Sequence, residues 1–395
     1  MAKKKKVPKL RFKEFTEVWK VEKLGEVTKI TMGQSPQGIN YTNNSEDHIL
    51  VQGNADMKDG HVVPRVWTTQ VTKTANWGDI IISVRAPVGE VGITDYEVVL
   101  GRGVAAIAGN SFIYQSLIRM NELGYWKRLS CGSTFDSINS NILRDTVLFF
   151  PDEKEQIQLG QYFQSFDIII ALHQREHEKL LEIEKAMLEK MFPQEGSNEP
   201  EIRFDGFTGK WEIKKLGELY TERNERGNNS LPILSVSIHH GVSDGELDGD
   251  MLGKKVRRSE DKSLYKHVYS GDLVFNMMRA WQGAIGVATT EGMVSPAYIS
   301  AIPNEHVYPQ FMDCSLSRES IILQMNNLSY GVTDFRKRLY WDSFINVSCH
   351  IPSIAEQVKI SDFFQHLNSL ISLQQRELDK LKCIKQACLE KMFVQ

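Results

Sequence analysis

The amino-acid sequence of this chain contains two pairs of repeated segments. Residues 8–19, which read PKLRFKEFTEVW, return as residues 200–211, which read PEIRFDGFTGKW. The tetrapeptide KLGE follows in both copies, at residues 23–26 and 215–218. Self-similarity over such a distance indicates two copies of one structural unit, so we expect a fold with an internal pseudo-twofold repeat.

The second pair of repeated segments has the pattern of a long helix. It runs from EQ at residues 155–156 to LEKMF at residues 188–192, and again from residues 356–357 to residues 389–393. A capping-box pattern directly after a proline opens both copies. At ~1.5 Å per residue, a helix over residues 155–191 reaches ~55 Å, which is more than a compact domain needs and suits a spacer.

Apolar residues recur at steps of three and four along both predicted helices. A seam of this period on two related helices is most simply buried when the helices pair as an antiparallel coiled coil. Glu176 and Glu377 interrupt the seam at the same place in both copies. The residues of the predicted seam are Ile169, Leu172, Leu180, Ile183, Met187, Met191, Leu370, Leu373, Leu381, Ile384, Cys388 and Met392.

We call the repeated segments the frames and the unlike segments between them the fillings. Residues 33–150 and 225–351 share only scattered landmarks, such as Gly-Asp at residues 78–79 and 271–272. Short β-prone runs separated by glycine and proline alternate with short predicted helices, so each filling is expected to be an α/β (α+β) globule. The predicted domains are a first globule over residues 1–150, a first spacer helix over 151–194, a linker over 195–199, a second globule over 200–351 and a second spacer helix over 352–395.

Bulk composition is that of a soluble globular protein. Hydrophobic residues make up 41% and charged residues 25% of the chain. The formal net charge is −3, so contacts to nucleic acid would have to come from local basic patches. The five cysteines form no CxxC pair, which favours a reducing compartment. We expect a cytoplasmic protein without a membrane span, because no apolar run is long enough and no signal-peptide pattern follows the N-terminal lysines.

Motifs that would indicate catalysis are missing from the sequence. It contains neither a GxxxxGK[ST] phosphate loop nor an HExxH zinc helix, nor the Asn/Asp-Pro-Pro-Tyr tetrapeptide of amino-methyltransferases. The PDEK sequence beginning at Pro151 resembles a nuclease motif, but its place at a helix start favours capping. His173 and His177 have a chelating spacing, yet the second copy carries Gln374 and Leu378 there, which favours a solvated helix face. We therefore expect neither catalytic residues nor a metal site.

Cationic and amide side chains in the two fillings are the candidate contacts to DNA. Arginine pairs bidentately with guanine edges or phosphates, and glutamine and asparagine do the same with adenine. For any single residue, an ordinary polar surface is the alternative interpretation. The candidate DNA contacts are Gln34, Ser35, Gln37, Arg85, Arg102, Thr134, Lys254, Lys255, Arg257, Arg258, Arg279, Thr333, Arg336, Lys337 and Arg338.

The order of these pieces resembles the specificity subunit of type I restriction-modification systems over essentially the whole chain. The motifs that carry the resemblance are MGQSP at residues 32–36, GDII at residues 78–81, GRG at residues 101–103 and the repeated EQ and LEKMF. The resemblance implies that each globule is a target-recognition domain for one half of a split DNA site. It also implies that the paired helices hold the two globules at a fixed separation.

Several further expectations follow from this resemblance. Because the fillings differ, the double-stranded DNA target should be asymmetric and bipartite. The helices should dock two DNA methyltransferase subunits and, through them, restriction and translocase subunits. S-adenosylmethionine, ATP and Mg²⁺ should belong to those partners, with no cofactor and no enzyme activity on this chain alone. The alternatives are a two-domain coiled-coil scaffold for a ligand other than DNA, and a nuclease or methylase with an unfamiliar motif.

Overall fold

The computed structural model describes the chain at residues 7–130, 137–228, 230–238, 241–243, 245, 262, 264–333 and 336–394. The chain divides into two compact units. The first unit comprises Met1–Glu176 and Gln374–Gln395, and the second comprises His177–Leu373. Each of the two long helices, Glu153–Lys190 and Ile354–Met392, therefore contributes one half to each unit.

The first unit contains two mixed β-sheets and one strand pair. The strand pair joins Lys20–Lys23 to Val147–Phe150 in antiparallel register. The larger sheet has the strand order Ile30–Met32, Val104–Ile107, Ile80–Ser83, Val91–Ile93, His61–Val62, Met57–Lys58. The second sheet has the strand order Tyr41–Thr42, Trp67–Thr68, His48–Val51, Val98–Leu100, Thr74–Ala75.

Local sequence explains why these elements form. The central strand Ile80–Ser83 is buried at every position, as expected for β-branched residues between two neighbouring strands. Helix Ser111–Glu122 begins at Asn110, whose side chain accepts a hydrogen bond from the backbone N–H of Ile113 at 3.0 Å. The remaining short helical segments of this unit are Leu24–Val27, Gly38–Asn40, Asn54–Asp56, Tyr125–Leu129 and Ser140–Arg144.

The second unit contains one four-stranded antiparallel sheet and several strand pairs. The sheet has the strand order Tyr220–Glu222, Tyr298–Pro303, Leu273–Asn276, Ile285–Val287. The antiparallel pairs are Glu212–Lys215 with Ser348–Ile351, Val236–Ser237 with Gly241–Val242, and Lys266–Val268 with Gly292–Val294. The short helical segments are Leu216–Leu219, Ala280–Gln282, Pro309–Leu316, Glu319–Leu328 and Trp341–Phe344.

Both long helices begin with the side-chain cap that the sequence predicts. Asp152 Oδ1 accepts a hydrogen bond from the backbone N–H of Glu155 at 2.9 Å. At the equivalent place, Ser353 Oγ accepts one from the backbone N–H of Glu356 at 3.4 Å. The predicted fold class, mixed sheets and helices in two copies joined by long helices, is confirmed.

The helix halves of the first unit run antiparallel. Asp167 on the first long helix pairs with Lys385 on the second at 2.5 Å. One turn and a half further along, His173 contacts the side-chain amide of Gln374 at 2.7 Å. Rising numbers on one helix meet falling numbers on the other, so these two polar contacts define the antiparallel direction.

The apolar seam predicted for these helices is out of phase with their buried face. Half of the predicted residues are exposed, by 36–56% of their surface, namely Ile169, Leu172, Ile183, Leu370, Leu373 and Ile384. Met191 and Met392 are buried, Leu180, Met187 and Cys388 pack at the edges of the two cores, and Leu381 is half-buried. The buried face also includes Leu159, Phe163, Ile360, Phe364 and Leu367. Each helix half packs against its globule as well as its neighbouring helix, so both contacts decide which face is buried.

The last turn of each long helix closes the core of a unit. Phe393 stacks on Phe112 at 5.3 Å between ring centroids and meets the edge of Trp19 at 6.2 Å in the first unit. In the second unit, Phe192 stacks on Phe311 at 5.6 Å. The core that begins with one copy of the repeated N-terminal segment is therefore completed by the LEKMF end of the other copy's helix.

A buried arginine–glutamate pair anchors the N-terminal segment of each unit to a long helix. Arg11 donates from Nε and Nη2 to the carboxylate of Glu155, with both distances at 2.6 Å. Arg203 holds Glu356 in the same bidentate way at 2.7 and 2.8 Å. The side chain of Glu155 is 0% exposed, so its charge depends on the guanidinium.

Removal of the Glu155 carboxylate should destabilise the first unit strongly. Glu155→Gln leaves the Arg11 guanidinium without its counter-charge, and breaking a buried pair from one side costs about 3–5 kcal/mol. The double variant Arg11→Met with Glu155→Met leaves no charge stranded and should regain much of that loss. Urea unfolding measures both, with the exposed Glu153→Gln as control. A Glu155→Gln chain that unfolds at the wild-type urea concentration would rule out the pair as an anchor.

Asp313 should make the stability of the second unit depend on pH. Its Oδ1 accepts a hydrogen bond from the backbone N–H of Val287 at 2.7 Å, and burial raises the pKa of the carboxyl to about 6. Because the folded state holds the proton of this carboxyl more tightly than the unfolded state does, the free energy of unfolding is highest at pH values below the unfolded pKa. It falls as the pH rises through 6 and the buried carboxyl loses its proton. The stability of Asp313→Asn relative to the wild type should therefore rise by about 1–1.5 kcal/mol between pH 5 and pH 8. Urea midpoints at both pH values test this, with the exposed Asp362→Asn as control.

Candidate nucleic-acid interface

Three of the predicted contact residues lie together in the first unit. The backbone N–H of Arg102 donates to Ser35 Oγ at 3.0 Å. The backbone N–H of Gln34 donates to the carbonyl of Leu100 at 2.8 Å. The loop before the short helical segment Gly38–Asn40 is thus fixed against the turn that carries Arg102. The side chains of Gln34 and Arg102 are exposed.

Two glycines allow these loops to approach each other. A Cβ on Gly33 would lie 2.0 Å from the carbonyl oxygen of Gly101, and a Cβ on Gly103 would lie 2.0 Å from that of Gln52. Any side chain at either position would push the loops apart. This explains the GRG and MGQSP sequences as requirements of packing beneath the polar surface.

Arg85 joins the same loop cluster from the end of the central strand. The backbone N–H of the preceding residue, Val84, donates to the carbonyl of Gly103 at 2.8 Å. Arg85 itself forms an isolated β-bridge with Ser137. In the described part of the chain, the guanidinium groups of Arg85 and Arg102 have no ion-pair partner, and both side chains are exposed.

The side chains that support the loop of Gln37 were not predicted from the sequence. Gln70 Oε1 accepts hydrogen bonds from the backbone N–H of Gln37 at 2.9 Å and from Asn40 Nδ2 at 2.8 Å. The hydroxyl of Thr72 donates to the carbonyl of Gln34 at 2.5 Å. These residues are distant in sequence, so only their meeting in the fold reveals their role.

The second unit carries a cationic surface at the corresponding place. Arg279 follows the strand Leu273–Asn276, and its side chain is exposed. The backbone N–H of Leu339 donates to the carbonyl of Met277 at 2.9 Å, which ties the segment that follows Arg336 to the chain two residues before Arg279. The side chain of Arg336 is exposed, and its backbone N–H donates to the carbonyl of Thr333 at 2.8 Å.

Lys337 and Arg338 face the protein rather than solvent. Lys337 Nζ donates to Asn326 Oδ1 and lies 5.5 Å from the centroid of the Trp281 ring. Arg338 exchanges two backbone hydrogen bonds with Tyr330 at 3.0 Å each, and its Nη1 is buried. These two residues hold the segment in place, which leaves Arg336 as the exposed cation of the RKR cluster.

Several predicted contacts lie outside the described residues, namely Thr134, Lys254, Lys255, Arg257 and Arg258. Over the described ranges, no group of three histidine, cysteine or acidic side chains is arranged to hold a metal ion. Within the same ranges, no helix is both long enough and apolar enough to cross a membrane.

Comparison with known proteins finds a family match in the N-terminal part of the chain. Residues 16–182 match the family described as the type I restriction modification DNA specificity domain. This segment is a type I specificity domain. The family resemblance inferred from the duplicated frame is thereby confirmed.

Relatives of the specificity domain occur in Methanocaldococcus jannaschii. A protein named as the MjaX specificity subunit of a type I restriction enzyme is 30% identical over 181 residues, which is 44% of this chain and 43% of that protein. The type I restriction enzyme MjaIX specificity subunit is 24% identical over 164 residues, 39% of this chain and 38% of that protein. These matches span less than half the length of either relative.

The fold of a specificity subunit extends over nearly the whole chain. The crystal structure of the type I restriction-modification S subunit from M. genitalium has a TM-score of 0.64 at 16% identity, covering 98% of this chain and 99% of that one. A chain from a structure of type I R-M complex assembly and conformational transition has a TM-score of 0.52 at 17% identity, with 95% and 97% covered.

The long helices expose matching apolar faces in each unit. The exposed apolar residues of the first unit's helix halves include Ile168, Ile169, Leu172 and Ile384. Those of the second unit's helix halves include Leu181, Ile183, Leu370 and Leu373. The repeat pairs Ile169 with Leu370 and Leu172 with Leu373, so the two faces are variants of one surface. We refer to them as the helix faces.

Lys337 and Arg336 should differ in their effect on stability. Lys337→Met removes a charged hydrogen bond and a cation–π contact, which together contribute about 1–2 kcal/mol at a half-buried site. Arg336→Met removes an exposed side chain and should change stability by less than ~0.5 kcal/mol. Thermal unfolding of the two variants checks this difference. Equal stability of the variants would show that Lys337 does not brace the segment.

Proposed function

We propose that this chain is the DNA-recognition subunit of a type I restriction-modification complex and is not itself an enzyme. The main support for the proposal is that the two units share the same repeated segments but expose different side chains. Directly after the central strand, the first unit exposes Arg85 and the second exposes Arg279, and backbone hydrogen bonds tie these regions to the segments that carry Arg102 and Arg336. Arginines of this kind bind phosphates or guanine edges.

An asymmetric, bipartite target follows from the differences between the two surfaces. The first unit adds the amides of Gln34 and Gln37, and glutamine can pair bidentately with adenine. The second unit places the Trp281 ring 5.5 Å from Lys337 and exposes the Tyr330 side chain. Desolvation and the nearby Asp342 carboxylate raise the pKa of Tyr330, so its hydroxyl remains a hydrogen-bond donor. Because the two units expose different side chains on the same framework, they are expected to bind different DNA half-sites.

The helix faces are the proposed docking sites for two methyltransferase subunits. Leu172 is 56% exposed and its repeat equivalent Leu373 is 50% exposed. Apolar side chains repeated at equivalent positions of two units suit two copies of one partner. On this proposal, S-adenosylmethionine, ATP and Mg²⁺ are bound by the methyltransferase subunits and by the restriction subunits that join through them.

DNA binding by the free chain should fall steeply with salt. Each phosphate contact releases counterions, so log K declines linearly with log salt. Arg85→Gln combined with Arg102→Gln should reduce this slope by about 1–2. Fluorescence titration of a random duplex measures it, and Arg175→Gln on the exposed face of the first long helix is the matched control. Binding without salt dependence would refute the proposal and favour a scaffold for another ligand.

Carboxylates introduced on the helix faces should weaken binding of the partner subunit without changing the affinity for DNA. Leu172→Glu combined with Leu373→Glu places carboxylates on the proposed apolar contacts and should weaken binding of the methyltransferase subunit at least about tenfold. DNA affinity of the free chain should not change. Analytical ultracentrifugation with the purified methyltransferase subunit tests the first point, and Gln164→Glu serves as control. Undiminished assembly by the double variant would exclude the helix faces as docking sites.

A further inference from the structure

Ile39 lies on the candidate DNA surface of the first unit and is unusually exposed. Its side chain is 88% exposed, the highest value for a large apolar residue among those the structure describes. It occupies the middle of the 3-10 helix Gly38–Asn40, directly after the exposed side chain of Gln37. No described core cluster includes it.

The loop around Ile39 is held firmly despite this exposure. Gln70 Oε1 fixes both ends of the short helix through Gln37 and Asn40, at 2.9 and 2.8 Å. The carbonyl of Asn40 also accepts the backbone N–H of Thr69 at 3.0 Å. Ile39 and Gln37 are therefore presented together on a preorganised loop, in which Ser35 Oγ accepts the backbone N–H of Arg102.

The chemistry of these two side chains matches one kind of base pair. In the major groove an adenine–thymine pair offers adenine N6 and N7, which a glutamine amide can hold bidentately, and the apolar C5 methyl of thymine. The amide of Gln37 has no protein partner among the described contacts, and Ile39 has no apolar neighbour to cover it. An isoleucine two residues from a free amide therefore suits a surface that reads adenine and thymine.

We propose that Gln37 and Ile39 are specificity-determining residues of the first unit, with Gln37 holding adenine and Ile39 packing on a thymine methyl group. Arg102 supplies a neighbouring phosphate or guanine contact. This inference rests on the proposed DNA-recognition function. It assigns an A·T-containing half-site to the first unit.

A coupling experiment tests the thymine contact directly. A preferred site is first selected with the full chain from a library of random duplexes. Each thymine of that site is then replaced by deoxyuridine, which removes only the C5 methyl group, and affinity is measured for wild type and Ile39→Ala. One replacement should weaken wild-type binding about three- to tenfold and leave Ile39→Ala nearly unaffected. Since Ile39 is exposed, its substitution leaves the fold intact.

Two matched variants complete the design. Ile157→Ala deletes the same atoms from an exposed isoleucine on the first long helix and should keep the full deoxyuridine effect. Gln37→Ala should lose about tenfold discrimination for adenine at the same or an adjacent pair. If the losses from Ile39→Ala and deoxyuridine multiply at every thymine, the thymine contact is wrong. If wild type selects no site and binds random duplex without salt dependence, the proposed function fails, and this inference with it.

Discussion

The aromatic ring at the end of each long helix is the contact on which the rest of the structure depends. Phe393 stacks on Phe112 in the first core, and Phe192 stacks on Phe311 in the second. Loss of such a buried ring costs about 3–5 kcal/mol. Because each ring belongs to the helix of the other copy, neither unit can be completed by one copy of the repeat. Duplication is thus a condition of folding here.

Two buried ion pairs position the N-terminal segments, in addition to the packing of these aromatic rings. Arg11 with Glu155 and Arg203 with Glu356 fix the N-terminal segments at the starts of the long helices in the same bidentate geometry. A buried carboxylate tolerates few alternative positions, since any displacement leaves a charge uncompensated. The ion pairs hold the start of each long helix and the phenylalanine rings hold its end. The loops that carry Arg102 and Arg279 can therefore differ between the units without loss of the shared architecture.

The sequence correctly indicated the repeated frame, the helix caps and the fold class, because each has a local signature. It failed on the phase of the helix seam, where Leu172 and Leu373 are exposed. Period alone identifies an apolar stripe but does not say which surface covers it. The RKR cluster shows the same limit. Charge predicted a contact for Lys337, while the fold turned that side chain toward Trp281.

The sequence by itself determined the duplication, the unlike fillings and the family resemblance, since these are properties of residue order. Tertiary structure decided which copy of LEKMF enters which core, which cations remain free and which side chains support them. Gln70 illustrates the reason: it braces Gln37 from a distant position, through an amide that has no distinguishing pattern in the chain. Contacts between distant residues depend on the packing of the whole unit, and no local preference encodes them.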